Sequence, residues 1–341
     1  MNSNDFYYGL IKYSSINIGD EVQCIAAMRF LPHIDEYVHR DRINRFKSKN
    51  HKKVKLIMNA WWTQNIKGFP PSEAIEPLMI SMYIRHNKRK KFLTSKVKKY
   101  FLKHSPIGCR DKSTYEWLKR ENIPAYFSGC LTLTLERNND IPKEDYILCV
   151  DTSDDVVNAI KQRTKRPVYS ISRMLSPYNT YEDRLKIAKL MLRVYQSAHC
   201  VVSPRLHVIL PSLALKTPAL RIIPNNHVED GRWDGYEDFV RTVKETDFIN
   251  NVEVYDFDNP PNNPDNYLEL RKSLIETTEK FTHYNNQNSL IEDAKFPLID
   301  LLGLLRYQIH NQKRILYWAS VSQLIKTALL KLFKIKTRWD V

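Results

Sequence analysis

The sequence is poor in glycine, and its cysteines form no metal-binding pattern. Only eight of the 341 residues are glycine, which argues against several Gly-rich phosphate-binding loops. Five cysteines are present, without any CxxC pair: Cys24, Cys109, Cys130, Cys149 and Cys200. Their wide spacing argues against a structural zinc site or a disulfide framework and favours a reducing compartment.

Long apolar runs are missing as well. No stretch of eighteen uncharged apolar residues occurs, so no membrane-spanning helix is expected. Residues 1–5 are polar and precede no apolar segment of the signal-peptide type, so no secretory signal is expected. These absences predict a cytoplasmic protein. The hydrophobic fraction of 43% is that of a folded chain and excludes disorder for most of it.

Positive charge is concentrated in two segments. Residues 85–103 hold nine Lys and Arg, residues 313–338 hold seven, and neither segment contains an acid. Because the net charge of the whole chain is +15, the remainder is close to neutral. Each segment is either a solvated helix face or a surface for an anionic partner. Nucleic acid is the less favoured partner, since no nucleic-acid-binding motif or regular aromatic interleaving is present.

The second basic segment has the pattern of an amphipathic helix. Apolar residues recur there at helical spacing, namely Trp318, Val321, Ile325, Ala328, Leu329, Leu332 and Phe333. A basic amphipathic helix of this kind lies in an anionic membrane interface or docks on the protein's own core. Peripheral membrane association through residues 313–338 is therefore one of two interpretations.

Strand-like and helical segments alternate from residue 6 to residue 222. This alternation predicts βαβ units and parallel sheets. The polar stretch 136–142 divides the alternation into two halves. We therefore predict an N-terminal α/β domain (residues 1–136), a C-terminal α/β domain (137–255) and a C-terminal helical extension (256–341). A ligand is expected between the halves, at the carboxyl ends of the strands.

Three predicted strand-to-helix junctions carry polar residues that packing does not require. They are Asn17-Ile18-Gly19-Asp20-Glu21, Cys109-Arg110-Asp111 and Ser203-Pro204-Arg205-Leu206-His207. Asp111 is expected to cap the second helix, and Ser203 the third. Pro204 suits the first helical position. Arg205 and His207 then fall in a first turn, where free N–H groups favour an anion.

This ordered set of motifs resembles the polysaccharide pyruvyl transferase family over roughly residues 5–245. The family has an Asn-x-Gly-Asp element, an Arg-Asp before an amphipathic helix, and an Arg-Leu-His that opens a later helix. The matching residues are Asn17, Gly19 and Asp20; Arg110, Asp111 and Ser113; and Arg205, Leu206 and His207. The resemblance implies an α/β fold with two Rossmann-like parallel-sheet domains facing a cleft, as in GT-B enzymes.

The resemblance also implies an activity. It is the transfer of a pyruvyl group from phosphoenolpyruvate to a sugar diol of a surface glycan, an exopolysaccharide or its precursor, with formation of a pyruvate ketal. Phosphoenolpyruvate is then the donor substrate, and a carbohydrate or a lipid-linked glycan is the acceptor. No further cofactor is expected. No metal is expected either, because the histidines lack metal-ligand spacing.

The sequence departs from the family in two places. Residues 58–62 stand where many members have Gly-Gly-Gly, and residues 128–130 stand where many have Asp-Pro. Both departures lie in the N-terminal half, so the acceptor is left open. Trp61 and Trp62, within the first of them, favour core packing, with a platform for a sugar ring as the functional alternative.

Ketal formation needs a proton donor, cations and a base. We predict His207 as the general acid and Arg205 with Arg110 as the cations that bind phosphate and carboxylate. Asp20 is predicted to take the hydroxyl proton. The resemblance places Asn17 and Gly19 in the substrate site. The structural alternatives are a buried histidine at 207, a surface pair at Arg110-Asp111 and a helix cap at Asp20.

Two other functions stay open. A GT-B-like glycosyltransferase would need a pocket for the base and ribose of a nucleotide sugar, and no residues for one are identified. A non-catalytic relative that binds glycans or membranes would have lost the Arg and His set, which is intact.

Overall fold

A computed structural model of the chain describes residues 6–174, 180–252, 255–292 and 302–303. The basic segment 313–338 lies outside these residues, as does much of the predicted C-terminal extension. No helix within the described ranges is both long and apolar enough to cross a bilayer.

The described residues alternate between short strands and helices. The strands are β1 (Phe6–Lys12), β2 (Glu36–His39), β3 (Lys53–Ile57), β4 (Ile75–Leu78), β5 (Ile107–Cys109), β6 (Ala125–Phe127), β7 (Ile147–Val150), β8 (Val168–Ile171), β9 (Cys200–Ser203), β10 (Ala219–Ile223) and β11 (Arg241–Lys244). The helices are α1 (Ile18–Met28), α2 (Arg89–Phe92), α3 (Ser95–Lys103), α4 (Lys112–Arg120), α5 (Asp154–Lys161), α6 (Tyr181–Ser197), α7 (Leu206–Ala214), α8 (Glu245–Ile249) and α9 (Leu268–Thr282).

The strands form parallel sheets, which confirms the α/β prediction. One sheet has the order β2-β1-β3-β4, another the order β11-β10-β9-β7-β8, and β5 pairs with β6. The β5-β6 pair continues the first sheet, because the Met82 N–H donates to the Gly108 carbonyl (3.0 Å) and the Arg110 N–H to the Met82 carbonyl (2.9 Å). The carboxyl ends of strands from both halves of the chain can therefore contribute to one site.

The core explains why the central strands read as continuous apolar runs. Every residue of β7 is buried, as expected for a parallel strand with both faces covered. Helices α1 and α6, one from each half, pack against each other. Arg184 of α6 donates from Nε to Glu21 Oε1 of α1 at 2.7 Å, and both side chains are buried. This ion pair ties the two halves together beside the strand ends.

Several sequence predictions need correction at element ends. The strands β2, β4 and β11 were not predicted, because they are short and half-exposed. Helix α7 spans Leu206–Ala214, and Arg205, not the predicted Ser203, is its N-cap.

The caps of the other two junctions are also resolved. Asp111 caps α4 as predicted, since its carboxylate accepts the Thr114 N–H at 2.8 Å. Asn17, rather than Asp20, caps α1. Residues 136–142 contain no helix or strand, and the division of the chain at this point remains a prediction.

Candidate active site

A pocket of about 290 Å³ lies at the carboxyl ends of strands from both halves. Its lining comprises Ile16, Asn17, Asp20, Trp61, Tyr83, Arg85, Arg110, Arg173, Met174, Arg205, Leu206, His207 and Arg232. These residues follow strands such as β1, β5, β8 and β9, where ligands bind in open parallel sheets. Five lining arginines outnumber three described acids, the lining residue Asp20 and the neighbours Asp151 and Asp230, so the pocket is a candidate site for an anion.

The structure brings the three predicted motifs together. Asn17, Asp20, Arg110, Arg205 and His207 all line the pocket, although up to 190 positions separate them in the chain. Gly19 does not line it. The prediction that Gly19 lies in the substrate site stays a prediction, and the structure shows a packing role for this residue.

Gly19 lets the start of α1 approach the imidazole of His207. A Cβ at this position would lie 2.9 Å from His207 Nδ1 and 3.0 Å from Asn17 Oδ1. The Gly19 N–H donates to Asn17 Oδ1 at 2.9 Å. Glycine is needed here because any side chain would push the imidazole away from α1.

His207 lies in the first turn of α7 and has an unsatisfied ring nitrogen. Its Nε2 atom is buried and has no hydrogen-bond partner among the described residues. Burial, and then the charges of Arg110, Arg173 and Arg232, hold its pKa well below the usual range. His207 is therefore neutral at neutral pH while those positive charges are not balanced by a bound anion.

Arg110 is a buried cation without a carboxylate partner. It is 4% exposed and forms no ion pair with any residue that the structure describes. Its guanidinium carbon lies 4.1 Å from the centre of the Tyr83 ring, and its Nε has no hydrogen-bond partner. Because a buried unpaired charge is costly, this guanidinium is ready to accept an anion.

Two arginines of the second half share one carboxylate. Asp151 Oδ2 lies 2.7 Å from Arg173 Nε in an ion pair and accepts a hydrogen bond from Arg205 Nε at 3.1 Å. Asp151 follows β7 and has a left-handed backbone (φ 54°), a conformation that Asp tolerates. Arg173 also donates to Asn17 Oδ1, which connects this pair to the N-cap of α1. Asp151 therefore orients both guanidinium groups.

A further arginine reaches the pocket from the loop between β10 and β11. Arg232 Nε donates a hydrogen bond to Asp230 Oδ1 at 2.9 Å, and Arg232 Nη2 donates one to Asp230 Oδ2 at 2.5 Å. The loop packs tightly on the start of α4, since a Cβ at Gly231 would lie 2.5 Å from Ser113 Oγ. Gly231 also has a φ of 73°, which favours glycine.

Asp20 is buried at the edge of the pocket. Its Oδ2 accepts from Ser15 Oγ at 2.5 Å and lies 3.6 Å from Arg40 Nη1. Its Oδ1 lies 3.4 Å from Gln23 Nε2. Since Asn17 performs the capping, the helix-cap alternative for Asp20 is wrong.

The two neighbouring tryptophans have different roles. Trp62 is 2% exposed, and its indole N–H donates to the Met58 carbonyl at 3.0 Å, so it belongs to the core. Trp61 lines the pocket, and the Arg40 guanidinium lies 5.7 Å from its ring centre. The expectation of core packing therefore holds for Trp62 but not for Trp61.

Sequence reasoning missed four aromatic or charged lining residues as site residues, namely Tyr83, Arg85, Arg173 and Arg232, and the apolar Ile16 and Met174. Arg173 follows β8 by two positions, so the rule that located the other junctions also applies to it. Arg232 lies in a loop, and only the flanking Gly231 and Gly235 marked an unusual backbone there.

The described residues contain no group of three or more His, Cys, Asp or Glu side chains placed to hold a metal ion. The expectation of a metal-free site stays a prediction.

The protein is thus of the α/β class, with an arginine-rich pocket at the carboxyl ends of parallel strands that is a candidate anion site. Residues 80–227 match the family model described as polysaccharide pyruvyl transferase, which confirms the resemblance inferred from the motifs. The match includes Arg110, Arg205 and His207. The matched range is narrower than the predicted range of 5–245 and does not include Asn17 and Asp20. The tertiary structure, not the family match, places these two residues in the pocket.

Solved structures with a similar fold include three proteins. One is a functionally uncharacterized protein from Klebsiella pneumoniae, with 15% identity, a TM-score of 0.43, and 70% of this chain and 92% of that chain covered. Another is a UDP-N-acetylglucosamine 2-epimerase, with 11% identity, a TM-score of 0.41 and coverages of 85% and 92%.

The third is the UDP-GlcNAc 2-epimerase of Methanocaldococcus jannaschii in complex with UDP-GlcNAc and UDP, with 10% identity, a TM-score of 0.35 and coverages of 89% and 99%. At these values the likenesses concern the fold and carry no argument about activity. No curated protein matches the chain.

Proposed function

We propose that this protein transfers the pyruvyl group of phosphoenolpyruvate to a sugar diol, forming a pyruvate ketal and releasing phosphate. The observation that carries the proposal is the unpaired, buried guanidinium of Arg110 beside the unpartnered Nε2 of His207 in one arginine-rich pocket. The family match over residues 80–227 supports the same activity.

The donor suits the charges of the pocket. Phosphoenolpyruvate carries a phosphate and a carboxylate, and each is well matched by a guanidinium group. Arg110 offers an unneutralised charge to one of them. Arg205 and Arg173, held by Asp151, offer oriented N–H groups to the other.

His207 is proposed to protonate the methylene carbon of the donor. A bound anion balances the nearby arginine charges, so the imidazole then gains the proton that its free environment disfavours. Protonation makes the adjacent carbon electrophilic, and a first sugar hydroxyl adds to it. Asp20 is proposed to accept the proton of that hydroxyl.

The ketal is completed by a second substitution at the same carbon. The phosphate leaves with its bridging oxygen, and the resulting oxocarbenium ion is attacked by the second hydroxyl of the diol. The proton of this hydroxyl leaves with the phosphate, while the proton held by Asp20 replaces the one given up by His207. The products are therefore a pyruvate ketal and inorganic phosphate.

The acceptor is proposed to be a sugar of a surface glycan or of its lipid-linked precursor. Trp61 and Tyr83 line the pocket with aromatic rings, and such rings pack well against the apolar face of a sugar. A lipid-linked acceptor would bring the protein to the membrane periphery from the cytoplasm.

A phosphate-release assay with phosphoenolpyruvate and a panel of glycans tests the proposal. We expect release that depends on both substrates and is lost in His207→Gln. Thermal-shift titration should show stabilisation by phosphoenolpyruvate. Stabilisation by a UDP-, GDP- or CMP-sugar alone would overturn the proposal in favour of a glycosyltransferase.

A further inference from the structure

The helices α2 and α3 present exposed lysines that have no acidic partner. We call these residues the basic face: Lys88, Lys90, Lys91, Lys96, Lys99 and Lys103. None of them forms an ion pair with a described carboxylate. Arg173, Arg205 and Arg232 of the pocket are paired with carboxylates, whereas these lysines are exposed to solvent without such a pair.

The sequence of α3 fixes which side of the helix faces outward. Val97 and Phe101 are buried and hold one side of α3 against the core. At 100° per residue, Lys99 lies opposite them, with Lys96 and Lys103 on one side of it and Leu102 on the other. Leu102 is also on the outer side and is 46% exposed. The outer surface of α3 is thus a row of lysines with one apolar side chain.

The basic segment 85–103 has one end at the pocket, and its α3 lysines lie away from the pocket. Arg85, which opens the basic segment, lines the pocket. At the other end, Lys96, Lys99 and Lys103 border a groove together with Lys53, the first residue of β3. Glu73 and Glu76 also line this groove but form no ion pair with these lysines within the described residues. The pocket lies at the carboxyl ends of the strands, so the α3 lysines lie towards the opposite edge of the sheet. They are not part of the proposed donor site.

The two aromatic residues of α3 are not available to stack on a base, since Phe101 is buried in the core. Tyr100 packs against His104 at a ring distance of 4.4 Å and against Phe69 at 5.8 Å, and its hydroxyl is buried. Binding of single-stranded nucleic acid combines a basic groove with free aromatic platforms. Lysines surrounding an exposed leucine are instead the combination that binds the headgroup region of an anionic bilayer.

We propose that the basic face docks the protein on an anionic lipid bilayer, with the α3 lysines contacting phospholipid headgroups and Leu102 inserting between them. This binding is independent of the proposed reaction.

Vesicle co-sedimentation with the full chain tests the proposal. The probes are phosphatidylcholine vesicles with and without phosphatidylglycerol. We expect binding only to the anionic vesicles and a loss of binding at high salt, since salt screens the attraction. The variant Lys96→Gln/Lys99→Gln/Lys103→Gln should bind on the order of 100-fold more weakly, given the contribution of each lysine near such a surface.

A matched variant separates the basic face from net charge. Lys161→Gln/Lys272→Gln/Lys280→Gln removes three exposed helical lysines elsewhere and leaves the same net charge. We expect it to bind anionic vesicles like the wild type. Equal losses in both variants would overturn the proposal, because net charge alone would then explain binding. Unfolding temperatures of both variants verify that they fold.

Two further results would also overturn the proposal. One is full binding by the α3 variant combined with loss of binding when residues 313–338 are deleted. The other is binding of an oligonucleotide, but not of vesicles, that depends on the α3 lysines. Phosphate release with a water-soluble acceptor should be unchanged in the α3 variant, so a failure of the proposed reaction is distinguishable from a failure of membrane docking.

Discussion

The two sides of the pocket hold their cations in different ways. On the side of the first sheet, Arg110 is buried against Tyr83 and forms no ion pair within the part of the chain that the structure describes. On the side of the second sheet, Asp151 binds Arg173 and Arg205 at 2.7 and 3.1 Å. Arg232 is likewise bound by its own acid, Asp230.

This difference separates charge from orientation. A guanidinium paired with a carboxylate is fixed in position, but its charge is largely balanced. An unpaired guanidinium keeps its full charge in a poorly solvated place, where interaction with an anion is strong. We therefore expect Arg110 to determine the affinity for the donor, and the paired arginines to determine how the donor is oriented.

The largest effect is expected for His207. Its Nε2 has no hydrogen-bond partner among the described residues, and it lines the pocket together with arginines of both halves. His207→Gln should lower kcat by roughly 10²–10⁴-fold, because a general acid contributes that much. Donor binding should persist, since Arg110 and the paired arginines remain. Steady-state phosphate release gives kcat, and calorimetry with phosphoenolpyruvate gives the affinity. A variant with most of the wild-type kcat would contradict the assigned role.

Exchange of single arginines sharpens the comparison directly. Arg110→Gln should weaken phosphoenolpyruvate binding about 10–100-fold, since hydrogen bonds to charged groups contribute about 1.5–3 kcal/mol. Arg205→Gln should weaken it less, because the charge it removes is already balanced by Asp151. Calorimetric titration of both variants measures the difference.

The stability of these variants provides a control. Arg110→Gln should not lower the unfolding temperature, because it relieves an unpaired buried charge. A larger affinity loss in Arg205→Gln than in Arg110→Gln would reverse the proposed division between the two sides.

Removing the shared carboxylate tests orientation alone. Asp151→Asn keeps a side chain that tolerates the left-handed backbone and removes one negative charge from an anion site. We expect kcat to fall about tenfold, since misplaced groups lose the benefit of alignment, while donor affinity is retained or increased. Steady-state phosphate release gives kcat and KM separately and so measures whether turnover falls while donor affinity is retained. A fall in affinity with an unchanged kcat would show that Asp151 does not act through orientation.

The smallest effect concerns pH. Burial and three arginines depress the pKa of free His207, and a bound anion removes part of that depression. Between the His207 pKa of the free protein and that of the donor-bound protein, the bound state therefore holds more protons than the free state. Donor affinity should rise as pH falls through this window, by less than tenfold per pH unit.

Calorimetry in buffers of different ionisation enthalpy measures this uptake of protons. His207→Gln is the control, because titration of the donor's own phosphate persists in that variant. Equal proton uptake in the variant and the wild type would show that His207 does not titrate on binding.

Sequence reasoning located the parts of the site that follow strands directly. Arg110 and Asp111 follow β5, and Arg205 and His207 follow β9, in an alternation of strands and helices that local patterns reveal. Polar residues at such junctions are informative because packing alone does not select them. The parallel α/β class and the cap at Asp111 were predictable for the same reason.

Other features depended on contacts between distant segments. Trp61 and Trp62 have the same local pattern, and only the packed structure assigns one to the pocket and the other to the core. The cap of α7 moved from Ser203 to Arg205 because the Ser203 hydroxyl donates to the Val150 carbonyl of a neighbouring strand at 2.8 Å. A local capping preference competes with hydrogen bonds to residues that are distant in the sequence, and local propensities do not include these bonds.

The sequence by itself therefore determined the fold class, the three motifs and the chemical types of the site residues. Only the tertiary structure decided which cations are neutralised. Arg173 and Arg205 are paired because Asp151, more than twenty positions from the first and more than fifty from the second, lies at the end of an adjacent strand. Charge balance depends on distance in space, and neither composition nor spacing along the chain specifies that distance.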